Sequence, residues 1–351
     1  MAKEKMTSMQ RVLTALEHKE PDRVPLFLLL TMHGAKELGL SIQEYFSKAE
    51  YVVEGQVRMQ KKYGNDCYNG FFYGPAESEA FGGEVLFFDD GPPNSGEPLI
   101  HDLADLVKIK VPDIKKVSVL QEVLKTIRLL NEISGGNIPV LGVLVSPFSL
   151  PVMQIGFEAY LELIYNHRQL FWQLMQVNET FAVQWANAQF DAGATAVAYF
   201  DPLASPTIIP RDLYLETGWL IAKRTIAKLN GPTATHLASG RTISVIDDLI
   251  QTGTGAVGVG SSETLQQVKQ ACRGKLSVIG NLNGLEMSRW DKEEIHRRVK
   301  EAIVGAAPGG GFILADSHGE IPWLVTDEQL TSISEAVREY GNYPIMMGKL
   351  T

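Results

Sequence analysis

The chain has 351 residues, 45% hydrophobic and 21% charged, with a formal net charge of -9. This length and balance allow a sizeable core, and they argue against nucleic acid as the main partner, because phosphate binding needs a basic face. No run of about 18 apolar residues predicts a membrane span, and the first residues lack the apolar core of a secretion signal. The lone Cys67 and Cys272 form no paired motif, which leaves no disulfide framework and no Cys-rich zinc site. A cytoplasmic protein is expected.

In chain order, short apolar runs at 24–30, 67–72, 139–145, 195–200, 232–236, 255–260, 276–280 and 311–315 predict strands. Between them lie helical patterns near 41–63, 117–133, 157–191, 211–229, 242–252, 263–273, 291–305 and 326–340. Eight apolar strands alternating with helices predict an α/β fold, a (β/α)8 TIM barrel forming a single domain over 1–351. A doubly wound sheet shares this alternation, which does not report closure. The turn-rich stretch 74–100 holds Glu84-Val85-Leu86-Phe87-Phe88 and Gly91-Pro92-Pro93-Asn94-Ser95-Gly96. It predicts a hairpin inserted after the second strand.

A barrel places its site at the C-terminal ends of its strands. Those ends carry His33, Tyr73, Ser146, Asp201, His236, Ser261 and Asn281, and the last strand empties into Asp316-Ser317-His318-Gly319-Glu320. His236 and His318 are the expected zinc ligands, with an oxygen from Glu320, Asp316 or Asp201. The competing reading is a tight hydrogen-bonded loop without metal. Asp201 is expected to orient a ligand, act as a base or support a histidine; capping its own loop is the equal alternative. His33 is read as a pocket residue or, by default, a solvated loop histidine. Asn281 is placed to hydrogen-bond a substrate. Arg241, beside Gly240 at a helix start, is placed to bind an anion with the free amides there, or else to sit in solvent. Both cysteines are expected to pack as small apolar residues.

The chain also resembles a known group. Pro21-Asp22-Arg23-Val24-Pro25, Ser146-Pro147-Phe148, Asp201-Pro202-Leu203-Ala204-Ser205, His236, Gly280-Asn281, Gly310-Gly311-Phe312-Ile313-Leu314 and Glu335-Ala336-Val337-Arg338-Glu339-Tyr340-Gly341 occur in an order similar to that of the uroporphyrinogen decarboxylase superfamily, in its cobalamin-dependent methyltransferase branch. The resemblance implies a (β/α)8 barrel. Where the decarboxylases carry an Arg-rich segment, this chain has Thr31-Met32-His33-Gly34-Ala35, which disfavours a polycarboxylate tetrapyrrole substrate. Where related thiol methyltransferases bind zinc through His-x-Cys and a later Cys, this chain keeps His236 but has Leu237-Ala238-Ser239 and Ser317-His318-Gly319-Glu320. The resemblance therefore implies methyl transfer from a methoxylated, aromatic substrate to the cob(I)alamin of a partner corrinoid protein. In that reading zinc on His236, His318 and Glu320 polarises the ether oxygen, and Asp201 and Glu320 are catalytic. His33, Tyr73, Tyr199, Asn281 and Arg241 would contact the substrate, with Phe71, Phe72, Phe200 and Trp323 as further aromatic wall. The alternatives are a methylcorrinoid:acceptor methyltransferase serving a thiol or folate, and a metal-free binding barrel without catalysis.

Overall fold

The computed structural model describes residues 6–317 and 319–346, so the expected ligand His318 lies outside the described residues. Eight parallel strands form one sheet: β1 (Leu26–Phe27), β2 (Tyr68–Asn69), β3 (Val140–Val145), β4 (Ala196–Phe200), β5 (Thr233–His236), β6 (Ala256–Gly258), β7 (Ser277–Leu282) and β8 (Phe312–Asp316). Their order around the sheet is β1-β8-β7-β6-β5-β4-β3-β2. Each expected strand is present, and the sheet curls with helices outside it, as an α/β barrel requires. The expected hairpin after β2 is also present, pairing Val85–Leu86 with Asn94–Ser95 in antiparallel fashion. No helix among the described residues is long and apolar enough to cross a membrane.

Several helices differ from expectation. The pattern over 41–63 divides into Ile42–Tyr45 and Ala49–Tyr63, and that over 157–191 divides at His167. Four α-helices were not expected, among them the short Ala76–Ala80 and Pro151–Ile155. Ser8–Leu16 starts with a capping box between Thr7 and Gln10, a signature legible in Thr7-Ser8-Met9-Gln10. His33–Leu38 lies where a loop was expected; His33 is buried there, not solvated.

β1 and β2 end the sheet at opposite edges and share no ladder, so their backbones need other partners. Three side chains supply them. Asp66 accepts from the Leu26 amide (2.9 Å) while its own amide donates to Leu26 O (2.7 Å). Asn65 pairs with both the amide and the carbonyl of Leu28, each at 3.1 Å. Gln56 donates to Leu30 O (2.8 Å) and accepts from the Asn69 amide (3.1 Å), joining the two strand ends. Buried Arg11 and Arg23 hold the Asp66 carboxylate at 2.6 and 2.7 Å.

Alternation decides which side chains look inward. On β4, Val197 and Tyr199 pack among Phe181, Ala182, Trp185 and Ala186 of the helix Arg168–Asp191. On β1 and β8, Leu26, Leu28, Phe312 and Leu314 belong to the other outer cluster. The complementary positions therefore line the lumen. At its floor Phe27, Cys67, Ile279 and Ile313 pack against Val12, Ala15 and Leu16, so the helix Ser8–Leu16 plugs the barrel. Toward β3, β4 and β5 the inward residues Leu141, Val143, Ala198, Phe200, Ala234 and His236 remain partly exposed. A barrel interior is usually filled by bulky side chains; on this side, which we call the shaft, the inward residues are apolar apart from His236 and incompletely covered.

Removing Asp66 would leave two buried guanidinium groups without their shared carboxylate. Asp66→Ala is expected to cost about 3–5 kcal/mol, as breaking a buried ion pair does. Urea unfolding measures this, and a loss below about 1 kcal/mol would show that the seam does not depend on Asp66.

Candidate active site at the barrel mouth

Carboxylates and amides at the mouth reach sideways from one strand end to the next loop. Asp201, at the end of β4, accepts from Ser146 Oγ (2.5 Å) and Ser149 Oγ (2.6 Å) in the loop after β3. Glu263, after β6, accepts from the Thr242 amide and the Ile243 amide (2.8 Å each) and from Thr242 Oγ1 (2.7 Å), after β5. Asn281 of β7 donates to Gly260 O (3.0 Å) and Glu263 O (2.9 Å) after β6. Asp316 of β8 accepts from the Leu29 amide (2.8 Å), just beyond β1. Glu320 accepts from the Thr31 and Met32 amides at 2.9 Å and also from the Thr31 hydroxyl. Glu77, in the insertion after β2, accepts from the Val145 amide of β3 (2.8 Å).

Burial sets the charge of several of these groups. It pushes the Asp201 carboxyl up to about 6, against the opposing pull of its two serine hydroxyls. Asp316 rises to about 7 through burial, with the nearby Glu320 charge adding to the effect. Glu77 rises to about 8, also through burial. All three are enclosed, with exposures of 1%, 7% and 3% respectively.

His236 is the titratable group on the open side of the shaft. Its strand partner is Phe200, and the two rings stack with centroids 5.8 Å apart and a 29° interplanar angle. The Ala238 amide donates to His236 Nδ1 at 2.9 Å. In the neutral ring that acceptor role fixes the proton on Nε2. Gly258, the next residue in register, permits this placement: a Cβ there would lie 2.2 Å from His236 Cδ2.

The expected residues thus divide. His236 stands at a partly exposed inward position of β5, whereas the Asn281 amide is spent on Gly260 O and Glu263 O. Tyr199 faces the outer helices, opposite to expectation, because its odd position in β4 alternates with the inward Phe200. His33 packs by its ring against Trp323 (5.9 Å), with Nδ1 3.6 Å from Glu320. Tyr73 is buried, donates to Glu79 (2.7 Å) and meets Phe87 of the hairpin edge-on. Arg241 is exposed, and the helix-start amides beside it are taken by Glu263, not left for an external anion. The expected zinc site is only partly described, because His318 lies outside the described residues. Glu320 is engaged by two amides and a hydroxyl, His236 Nδ1 by Ala238, and among the described residues no group of three His, Cys, Asp or Glu could hold a metal. Sequence reasoning missed Glu263 and Glu77, which act across loops; Glu263 lies two residues past the strand-end Ser261, near enough for a wider search to catch.

The raised Asp201 value has a thermodynamic consequence with a definite sign. Between about pH 4 and 6 the folded protein holds a proton that the unfolded chain has released, so wild-type stability falls as pH rises through that window. Asp201→Asn keeps an oxygen acceptor for Ser146 and Ser149 and carries no charge. The variant is therefore expected to gain on wild type by up to roughly 3 kcal/mol between those pH values. Parallel urea titrations at pH 4 and 7 check it; equal pH dependence in both proteins would refute it.

A model of the family described as uroporphyrinogen decarboxylase (URO-D) matches residues 7–340. The methylcobamide:CoM methyltransferase MtaA of Methanosarcina barkeri is 24% identical over 315 residues, covering 86% of this chain and 91% of that protein. A uroporphyrinogen decarboxylase of Xylella fastidiosa is also 24% identical, covering 95% of this chain and 99% of its own length. Among solved structures, a methyltransferase from Methanosarcina mazei superposes with a TM-score of 0.85 at 20% identity, over 96% of this chain and 99% of the other. Identity that low speaks for the fold, and the family match extends through every strand of the barrel. The chain belongs to the uroporphyrinogen decarboxylase family.

Proposed function

We propose that this protein transfers a methyl group from a methoxylated aromatic compound to the corrinoid of a partner protein. The observation that carries the reading is the apolar character of the partly exposed inward positions toward β3, β4 and β5: Leu141, Val143, Ala198, Phe200 and Ala234 supply no cation, and His236 stands beside them. A tetrapyrrole bearing several carboxylates needs cationic partners, whereas a small ether needs an apolar pocket and one hydrogen-bond donor. Similarity to methylcobamide methyltransferases supports methyl transfer over decarboxylation.

In this reading the ether body lies in the shaft with its oxygen toward His236 Nε2. The corrinoid, when bound, supplies the nucleophile that takes the methyl group. As the carbon–oxygen bond breaks, its electron pair stays on oxygen, where the Nε2–H stabilises the developing charge. Ala238 fixes the ring tautomer, Phe200 fixes its plane, and Gly258 leaves it room. Asp201 and Glu320 position the surrounding loops, through Ser146 and Ser149 and through Thr31 and Met32. The names of the relatives favour a second reading, with the methyl group leaving a methylcorrinoid for a thiol.

A panel of aryl methyl ethers assayed with reduced cobalamin tests the direction. Methylcobalamin formation is expected; no transfer from any ether, together with demethylation of methylcobalamin by a thiol, would establish the second reading. His236→Phe, which keeps the stack and removes the N–H, is expected to lower kcat by about 10²–10³-fold. An unchanged kcat would remove His236 from the chemistry. Dialysis against a chelator is expected to leave the transfer rate within about twofold; a large loss reversed by added zinc would restore the metal mechanism.

A further inference from the structure

Asn69 ends β2, and its side chain is buried but unbonded. The residue is 1% exposed, and neither Oδ1 nor Nδ2 has a hydrogen-bond partner in the protein. Its neighbours fix where that amide points. Tyr68 packs in the outer cluster, a Cβ on Gly70 would meet Ile127 of the outer helix Ser118–Ser134, and Cys67 joins the floor of the lumen. By alternation Asn69 shares the face of Cys67 and looks inward. In register it pairs with Leu141 of β3, and Leu141 with Ala196 of β4, four residues below Phe200, the partner of His236. A barrel shear of about 8 lowers the register by about one residue per strand. From β2 to β5 this accounts for most of that difference, so Asn69 stands near the height of His236. Around it Leu29, Phe71 and Leu141 are inward, partly exposed and uncharged. Phe71 belongs to no apolar cluster among the described residues, so its ring is the neighbour that can turn aside for a ligand. A buried amide with its bonding capacity unmet is costly, and a group that both donates and accepts removes that cost.

We propose that Asn69 binds a neutral hydroxyl group on the ring of the methyl donor and thereby selects methoxyphenols over aryl ethers that lack a hydroxyl. The inference rests on the reading of the shaft as the donor pocket, and it adds the residue that sets donor specificity. A hydroxyl accepts from Nδ2–H and donates to Oδ1, meeting both needs of the amide. An ionised substituent is disfavoured, because the inward neighbours bring no opposite charge. An ether oxygen only accepts, so a donor without a hydroxyl leaves Oδ1 buried and unpaired. Sites built around a hydrogen bond reject analogues that lack it for this reason.

The test reads binding separately from transfer. In the wild-type protein, titrations with each methoxyphenol isomer and with anisole are followed by the side-chain amide NMR signals of Asn69. At least one isomer is expected to shift them saturably and to bind about tenfold or more tighter than anisole. Equal binding of anisole and every isomer, or binding that leaves the Asn69 signals in place, would overturn the proposal. Asn69→Leu removes the unmet polar atoms at similar volume and is expected to fold with undiminished stability. It should erase the preference for the hydroxylated donor in both Kd and kcat/KM. A preference that persists in the folded variant would also overturn the proposal; should the variant not fold, the wild-type titration decides alone. If a methoxyphenol binds at Asn69 but no methyl group reaches cobalamin, the methyl-transfer reading fails while the hydroxyl site stands. Transfer from methoxyphenols and anisole with equal kcat/KM would leave methyl transfer standing and remove the hydroxyl site.

Discussion

The barrel depends on how β1 and β2, which share no ladder, satisfy their backbone groups. Buried peptide groups without partners are costly, and the edges of a curled sheet expose a row of them. Asp66, Asn65 and Gln56 meet this need by imitating peptide groups, two of them acting as donor and acceptor at once. The device brings its own demand, since a buried carboxylate must be compensated; Arg11 and Arg23 do this. Arg11 comes from the helix Ser8–Leu16, so the same helix that plugs the floor of the lumen also helps to close its wall.

The mouth repeats the principle at its loops. Asp201, Glu263, Asp316, Glu320 and Glu77 each cross from one βα unit to a neighbour, and most of them accept from backbone amides. A loop held by a neighbour's carboxylate is positioned by the barrel and not by its own sequence. Such placement holds the strand ends of the mouth in a fixed relation to one another. Polar residues abound at this mouth, yet many of them are engaged in holding the protein together. The inward positions toward β3, β4 and β5 are left mostly apolar, with His236 among them.

This arrangement separates two roles that strand-end residues can play. Asp201 and Glu320 look equivalent to His236 by position, because all follow strands at the same face. Their surroundings differ: Asp201 is enclosed by serine hydroxyls, Glu320 sits on the amides opening the helix His33–Leu38, and His236 borders the shaft. Asp201 and Glu320 thus hold loops, and in the proposed reaction the chemistry falls to His236 of the same ring.

Local signals along the chain were enough to place the eight strands and the hairpin, because apolar runs and turn residues act over a few positions. They also put His236 at a strand end and showed the segment 31–35 to be without arginine. They did not reveal that Tyr199 turns outward, since a one-residue difference in phase reverses the face and only packing against Phe181 and Trp185 declares it. Nor did they reveal that Glu263 fills the helix start beside Arg241, or that Glu320 is taken up by Thr31 and Met32, nearly the whole chain away. Those contacts join residues distant in sequence, and the tertiary structure alone brings them within hydrogen-bonding reach.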